Sequence, residues 1–444
     1  MEYTILGSCT KLLYPQGTPE FFEGENLIDP RNGSLMEMDA YSLLLLFMLK
    51  EDRANITKVV SGLLKNLNKE SNFWEHSVWT ENEIHLRFTS SALRTLVIAY
   101  KNKFFDDLEL LLQLFNTHLS YVDRQDGMVW FLHDSLELEK EHLGRNIKLK
   151  KWRNDISNMF VLNTHLDTIN TILHLQNEKI FEEGRFNEHL SQGIRYLEES
   201  LEHASNSPEW FHSMDHSVRE IYFKVHHKRN VLAKLLKKLI SIGYFSILRL
   251  RLKNSFPTYF FKDGYIERDL CLTGKSFEYH VVNLWDMAKF CLLSKNKKEG
   301  SIASLRTLFI EKIVSGISYI ENSNYKLFLQ HELNDAKNGY IELCEVIIVL
   351  LQLGIREKQF FSLYVNIRKK LPPSLSLKFQ DPLINPSFDS YTLKYQDDEG
   401  IDVVKISAME YFIANLKTNS ELIEFENSKV SIGQSRALIH IIEP

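Results

Sequence analysis

The residues of this chain that could do chemistry fall into short constellations. Trp130-Phe131-Leu132-His133-Asp134-Ser135-Leu136-Glu137 places His133, Asp134 and Glu137 directly after an extended aromatic run. A carboxylate beside an aromatic wall can hold its proton to higher pH and act as a general acid or base; Asp134 with Glu137 three residues on also fits a helix N-cap. Asn163, Asp167, Asn170 and His174 fall at i, i+4, i+7 and i+11 of a helical stretch otherwise rich in apolar residues. They make one polar stripe, which faces either a ligand or solvent. His165 lies about 100° off that stripe. Glu278-Tyr279-His280 opens another helical stretch, and Tyr222 stands four residues before His226. A Tyr/His pair can work as acid and base on opposite faces of a sugar ring, or sit buried and satisfied by hydrogen bonds. Trp210-Phe211-His212-Ser213-Met214-Asp215-His216 carries two histidines at i, i+4, but without an HExxH glutamate or an evident third ligand. No metal and no cofactor is expected.

Tryptophan is unevenly placed. Trp74, Trp79, Trp130, Trp152 and Trp210 fall between helical segments, and only Trp285 falls within one. Indole rings presented from loops suit stacking on sugar faces, which makes Trp79, Trp130 and Trp210 candidates for binding; the alternative is that they plug a core.

The elements that must position these groups are mostly helical. Apolar periodicity over residues 35–370 predicts six hairpins: 35–50 with 54–67, 88–100 with 105–120, 156–176 with 187–203, 217–241 with 244–253 around Gly243, 277–294 with 302–321, and 338–353 with 357–370. At about 56 residues each, these units exceed the common helical repeats. The extra length lies in the links 68–87, 121–155, 204–216, 254–276 and 322–337, several of them aromatic and partly extended, such as Asp126 to Phe131, Phe256 to Tyr265 and Tyr325 to Phe328. Short turns at one end and long aromatic links at the other predict an all-α (α/α)6 toroid whose links gather at one mouth. Beyond Pro372-Pro373, residues 390–396 and 401–407 read as a β-hairpin, 407–417 as a helix and 437–442 as a strand. Residues 371–444 are therefore expected to form a small α+β appendage on the toroid, and residues 1–34 have no assigned structure.

The chain has 444 residues, 44% hydrophobic and 25% charged, which excludes disorder as its main state. The start lacks a basic segment followed by an apolar core, the apolar runs are too short to span a bilayer, and four cysteines with no paired spacing suit a reducing compartment. A cytoplasmic location is expected. No GxxxxGK[ST], no GxGxxG after a strand and no GxSxG occurs, so kinase, dinucleotide-dependent and α/β-hydrolase readings have no support. The net charge is −5, yet residues 215–253 hold ten Lys/Arg against Asp215 and Glu220, leaving +8 there and −13 elsewhere. Such a segregated stretch is the footprint of a polyanion (acidic glycan, nucleic acid or anionic lipid) or a solvated face paired with acidic neighbours.

Two regions resemble known toroidal proteins. Phe88-Thr89-Ser90-Ser91-Ala92-Leu93, then Asp126-Gly127 and Trp130, then Val161-Leu162-Asn163-Thr164-His165-Leu166 are similar in order to the helical domain of D-glucuronyl C5-epimerases. Tyr222-Phe223-Lys224-Val225-His226 resembles that family's Tyr-His-x-x-His helix without its first histidine. Asp263-Gly264-Tyr265-Ile266-Glu267-Arg268 followed by Tyr279-His280 resembles a stretch of the uronic-acid polysaccharide lyases, and Asn163-Thr164-His165 is similar to their Asn-Asn-His motif. The resemblance covers about residues 88–290 and leaves out the large β-domains of both families. It implies proton abstraction at C5 of a uronate in an acidic oligo- or polysaccharide, by epimerisation or β-elimination. Tyr279, His280 or His165 would be the base, and Asn163 or Arg268 would neutralise the carboxylate. His133, Tyr222, His226 and Tyr265 would line the substrate. An acidic glycan, not nucleic acid, is the expected partner; the oligomeric state is left open. A glycoside hydrolase using paired carboxylates such as Asp134 and Glu278, or a non-catalytic glycan- or polyanion-binding scaffold, are the alternatives.

Overall fold

The computed structural model describes residues 53–68, 70–71, 73–75, 84–138, 158–182, 184–270, 276–297, 300–332 and 338–355, single helical positions at 40, 41, 44, 360, 363 and 367, and short strands within 3–27 and 390–442. Most of the expected helices 35–50 and 357–370, together with Trp79 and Trp152, lie outside the described residues.

The body is mostly helical. Its helices are α1 (Arg53–Lys65), α2 (Leu86–Lys101), α3 (Leu108–Ser120), α4 (Leu162–Glu178), α5 (Asn187–Ser205), α6 (Glu209–His226), α7 (Val231–Leu239), α8 (Arg249–Ser255), α9 (Tyr279–Leu293), α10 (Ser301–Asn322), α11 (Tyr325–Glu332) and α12 (Asn338–Gln352). Helices α2, α4, α9 and α12 pack side by side in that order, with α3 on α2, α5 on α4 and α10 on α9. Nearly every residue of α2, α4 and α9 is buried. That is the condition of a central helix covered on all sides, so the polar faces of α2 and α4 are buried along with their apolar ones. Outer helices need explicit starts: Asp107 accepts from Leu110 N (2.8 Å) to begin α3, and Asn230 accepts from Ala233 N (2.7 Å) to begin α7.

Three of the six expected hairpins, the second, third and fifth, have both helices largely as read, and in the first and sixth one helix of each pair lies mostly outside the described residues. The fourth differs. Helix α6 starts at Glu209 behind Pro208, so Trp210 to His216 is helical and not part of a link. The chain then turns at residues 227–230, because Asn230 caps a new helix there. Gly243 does not break it: α7 runs through a π-helical stretch (Ile240–Leu248) into α8, and Ser246 Oγ donates to the carbonyl of Ser241 five residues back (2.9 Å). Moreover α4 packs directly on α9, so α6 to α8 stand outside the row of central helices. Tyr325 to Phe328, expected to be extended, is the start of α11.

The other links behave as their sequences suggest. Val122–Gln125 and Met128–Phe131 form a hairpin (β5 and β6, after strands β1 to β4 within 3–27) around Asp126-Gly127, both at positive φ (50° and 74°) as a two-residue turn requires. In the link before α9, Asp263-Gly264 reverses the chain so that Phe261 N donates to Tyr265 O (2.9 Å) and Glu267 N to Tyr259 O (2.8 Å). Bridges His85↔Asp134 and Val161↔Asp269 then stitch the residues entering α2 and α4 to these two links. In the C-terminal region, β7 (Ser390–Asp397) and β8 (Gly400–Ser407) form the expected antiparallel pair, with β12 (His440–Ile442) on β7. Residues 411–416 are a strand, β9, not a helix: Tyr-Phe-Ile-Ala-Asn-Leu pairs with β8, and cross-strand pairing overrides the helical pattern.

Gly264 has φ 95°, and a Cβ there would lie 2.3 Å from the backbone oxygen of Ser315. Gly264→Ala is expected to destabilise the protein by more than about 2 kcal/mol, read as a lower urea midpoint.

Candidate active site at the ends of the central helices

The stitched links and the first turns of α2, α4 and α9 enclose a cluster of buried polar side chains. His133 follows β6 and is held on both ring nitrogens, by Thr164 Oγ1 on Nδ1 (2.7 Å) and Arg268 Nη2 on Nε2 (3.2 Å). A guanidinium only donates, so Nε2 accepts and Nδ1 carries the proton to Thr164. Burial, reinforced by His85, Arg268 and Arg87, holds the His133 pKa well below the usual imidazole value, so the ring is neutral. His85 packs edge-on against it at 4.4 Å between centroids. The Arg268 guanidinium lies over the Tyr279 ring, 4.5 Å from its centroid. Arg268 is 9% exposed, its Nε has no hydrogen-bond partner among the described residues, and Tyr279 is only half-buried, so this pair is the edge of the cluster that reaches solvent.

Arg268 owes its direction to its neighbours. Glu267 pairs with Arg249, while the carbonyl of Asp269 accepts from Lys253 Nζ (2.5 Å). Both arginine and lysine belong to α8. The backbone of Arg268 is pinned as well, its carbonyl accepting from Leu162 N (2.8 Å) at the start of α4. Arg249 also pairs with Asp215 (2.6 Å), which in turn holds Arg219 (2.6 Å) and accepts from the Tyr244 hydroxyl (2.9 Å). Burial works to raise the Asp215 pKa, but Arg249 and Arg219 outweigh it and keep the group ionised.

Beneath the cluster, charges continue between the central helices. Arg87 forks onto Asp286 (2.7 and 3.2 Å) and donates to the carbonyl of Asn163 (2.8 Å). Arg94 holds Asp167 (3.0 Å) and Thr171 (2.8 Å), and Asn170 donates to the carbonyl of Asp286 (2.9 Å). Lys289 lies over the Trp285 ring at 3.0 Å. Burial raises Asp286 to about 6 despite Arg87 and Lys289, whereas in Asp167 the pull of Arg94, Arg87 and Lys289 exceeds the effect of burial. The Asn163–Asp167–Asn170–His174 stripe thus faces the neighbouring central helices, at 0–2% exposure. Asn163 Oδ1, Asn170 Oδ1, Asn283 Oδ1 and His174 Nε2 have no partner among the described residues, which marks a polar interior suited to water or ligand.

The chain matches no protein-family model, no curated protein and no solved structure.

Of the residues singled out from the sequence, the structure gathers His133, Arg268, Tyr279 and Asn163. Others it assigns to the core. His165 accepts from Phe131 N (3.1 Å) and donates to Gly193 O (3.2 Å); His280 accepts from Ile266 N (3.0 Å) and donates to Gly316 O (3.3 Å). With both nitrogens occupied and no exposure, neither is free to act as a base. Trp130 is fully buried between His165 (4.0 Å) and Tyr259 (5.9 Å), so both its faces are covered and it cannot stack on a sugar. Tyr265 is buried under Arg219, and Tyr222 is buried among Phe223, Phe245 and Phe277 beside His226. Neither tyrosine presents a face to substrate. Trp210 is 52% exposed but stands on α6 against Phe256, and Glu278 is exposed at the head of α9. Asp134 and Glu137 are buried together; Glu137 accepts from His133 N (2.5 Å) and Met159 N (2.7 Å), and burial plus Asp134 raises it to about 8.

The buried ions Arg87, Arg94, Asp286 and Lys289, with Glu342 and Glu345 of α12, were missed. Their signal is present in the sequence: isolated charges at i, i+3 or i+7 within otherwise apolar helices.

Burial also fixes how the fold responds to pH. It lowers His118, His165 and His174 to about 3 and His280 to about 4, against 6.5 in the unfolded chain. Between those values the unfolded chain binds more protons, so stability falls as pH drops below 6.5. Glu137 and Asp286, raised, act in the opposite sense: the stability they contribute is greatest at low pH and lost as pH rises. Four histidines outweigh two carboxyls. Urea unfolding at pH 5 against pH 7 is expected to give a loss on the order of a few kcal/mol.

Proposed function

We propose that this chain is a carbohydrate-active enzyme that binds an acidic, uronate-containing glycan at the Arg268–Tyr279 edge and removes the C5 proton, in the manner of an epimerase or lyase. The single observation that supports it most is the pairing of a half-buried tyrosine with a nearly buried arginine whose Nε has no partner. Arg268 pairs with the uronate carboxylate, and its charge stabilises the negative charge that develops there as C5 is deprotonated. Tyr279, as its phenolate, takes the C5 proton; in elimination the electron pair forms the C4–C5 double bond as the C4–O bond breaks and the phenol returns the proton to the departing oxygen, and in epimerisation C5 is reprotonated by water on the opposite face. Neutral His133 keeps Arg268 in place without competing for it, as a carboxylate in its position would. Asn163 and Asn283 supply further polar contacts deeper in the interior. In the same reading the central helices close into an (α/α)6 toroid, with the stitched links as its mouth, and the protein works in the cytoplasm.

The test is incubation with uronic-acid oligosaccharides. β-Elimination gives a conjugated double bond absorbing in the ultraviolet; epimerisation in deuterated water puts deuterium at C5. Tyr279→Phe and Arg268→Ala are each expected to lower the rate about a hundredfold or more with the melting temperature retained. Release of reducing ends without either signal would move the assignment to a hydrolase, and glycan binding without turnover would move it to a scaffold.

A further inference from the structure

The basic segment divides in two. Arg219, Arg249 and Lys253 are buried and hold the network around Asp215 and Glu267. Lys224, Lys228, Arg229, Lys234, Lys237, Lys238 and Arg251 face outward, and none of these seven has a carboxylate partner among the described residues. On the same helix the apolar residues are also outside. Val231 is 80% exposed, Leu232 79%, Leu235 54%, Leu239 61% and Ile242 50%. Within α7 only Ala233 is buried. At about 100° per residue, Val231, Leu232, Leu235, Leu236 and Leu239 fall within one arc, and Lys234, Lys237 and Lys238 within another beside it. The π-helical stretch extends the surface: it turns Tyr244 and Phe245 inward while Ile242, Ile247 and Leu248 stay exposed.

We infer that α7 and the π-helical stretch form a docking surface for an anionic phospholipid bilayer, on which α7 lies parallel to the membrane with its leucines among the acyl chains and its lysines at the headgroups. Nine residues of α7 are far too few to cross a bilayer, so the contact is with one leaflet. Charge complementarity selects the occupant. A second copy of the chain would set one row of outward lysines and arginines against another, whereas a surface of acidic headgroups neutralises it. Exposed leucines beside unpaired lysines are what an interfacial helix requires, and a merely solvated face would need no leucines.

The full chain would be sedimented with vesicles of equal parts phosphatidylcholine and phosphatidylserine, and with phosphatidylcholine alone, beside two triple variants. The wild type is expected to partition onto the anionic vesicles only, less so as salt rises. Lys234→Gln with Lys237→Gln and Lys238→Gln is expected to bind about a hundredfold more weakly. Leu232→Ser with Leu235→Ser and Leu239→Ser is expected to abolish binding. Because all six side chains face outward, both variants are expected to melt as the wild type does. Absence of binding to anionic vesicles at low salt would overturn the inference, as would wild-type binding by both variants. So would a concentration-dependent dimer, lost in the leucine variant, in a chain that ignores vesicles.

Discussion

The placement of Arg268 depends on a set of charges that have left water. Asp215 is shared by Arg219 and Arg249, Arg249 reaches on to Glu267, and Lys253 closes on the carbonyl of Asp269. Each of these groups would be costly to bury alone, several kcal/mol per ion, and the set is tolerable only because every member finds an opposite charge or a carbonyl. The consequence is geometric. Removing any one leaves a charge stranded, so the link before α9 has one admissible path, and that path turns Arg268 toward His133 and Tyr279.

The same constraint runs through the interior. Arg87 with Asp286 and Arg94 with Asp167 tie α2 to α9 and α4. Apolar packing brings these helices together, while the ion pairs fix their rotation, since a turn of one helix about its axis would separate partners held within 3.0 Å. Beside these ion pairs, the amide oxygens of Asn163, Asn170 and Asn283 have no hydrogen-bond partner among the described residues and are places where the interior still has capacity to bind.

Much of the helical body was legible in the sequence because period and length agreed: 88–100 against α2, 302–321 against α10. The Asp126-Gly127 turn was legible because only a small class of residues accepts positive φ at two successive positions. The fourth hairpin was not. Gly243 looks like a break, but a π-helical stretch carries the helix through it, and nothing local in the sequence announces that geometry. In the site, the polar stripe on α4 was visible because Asn163, Asp167, Asn170 and His174 recur at helical spacing in a helix otherwise rich in apolar residues. Which histidines had both nitrogens occupied was not, because the partners of His165 and His280 are backbone groups from distant segments. Tryptophan misled for a related reason: an indole in a link serves equally well as a plug, and Trp130 is one.

The claim on which the functional account turns is that a carboxylated sugar enters at the Arg268–Tyr279 edge. Amide hydrogen exchange with and without a uronic-acid oligosaccharide tests it directly. Protection is predicted in residues 84–90, 131–137, 266–270 and 276–283, where the stitched links meet the helix starts. Unchanged exchange in those segments at saturating oligosaccharide, or protection confined to residues 231–248, would contradict it.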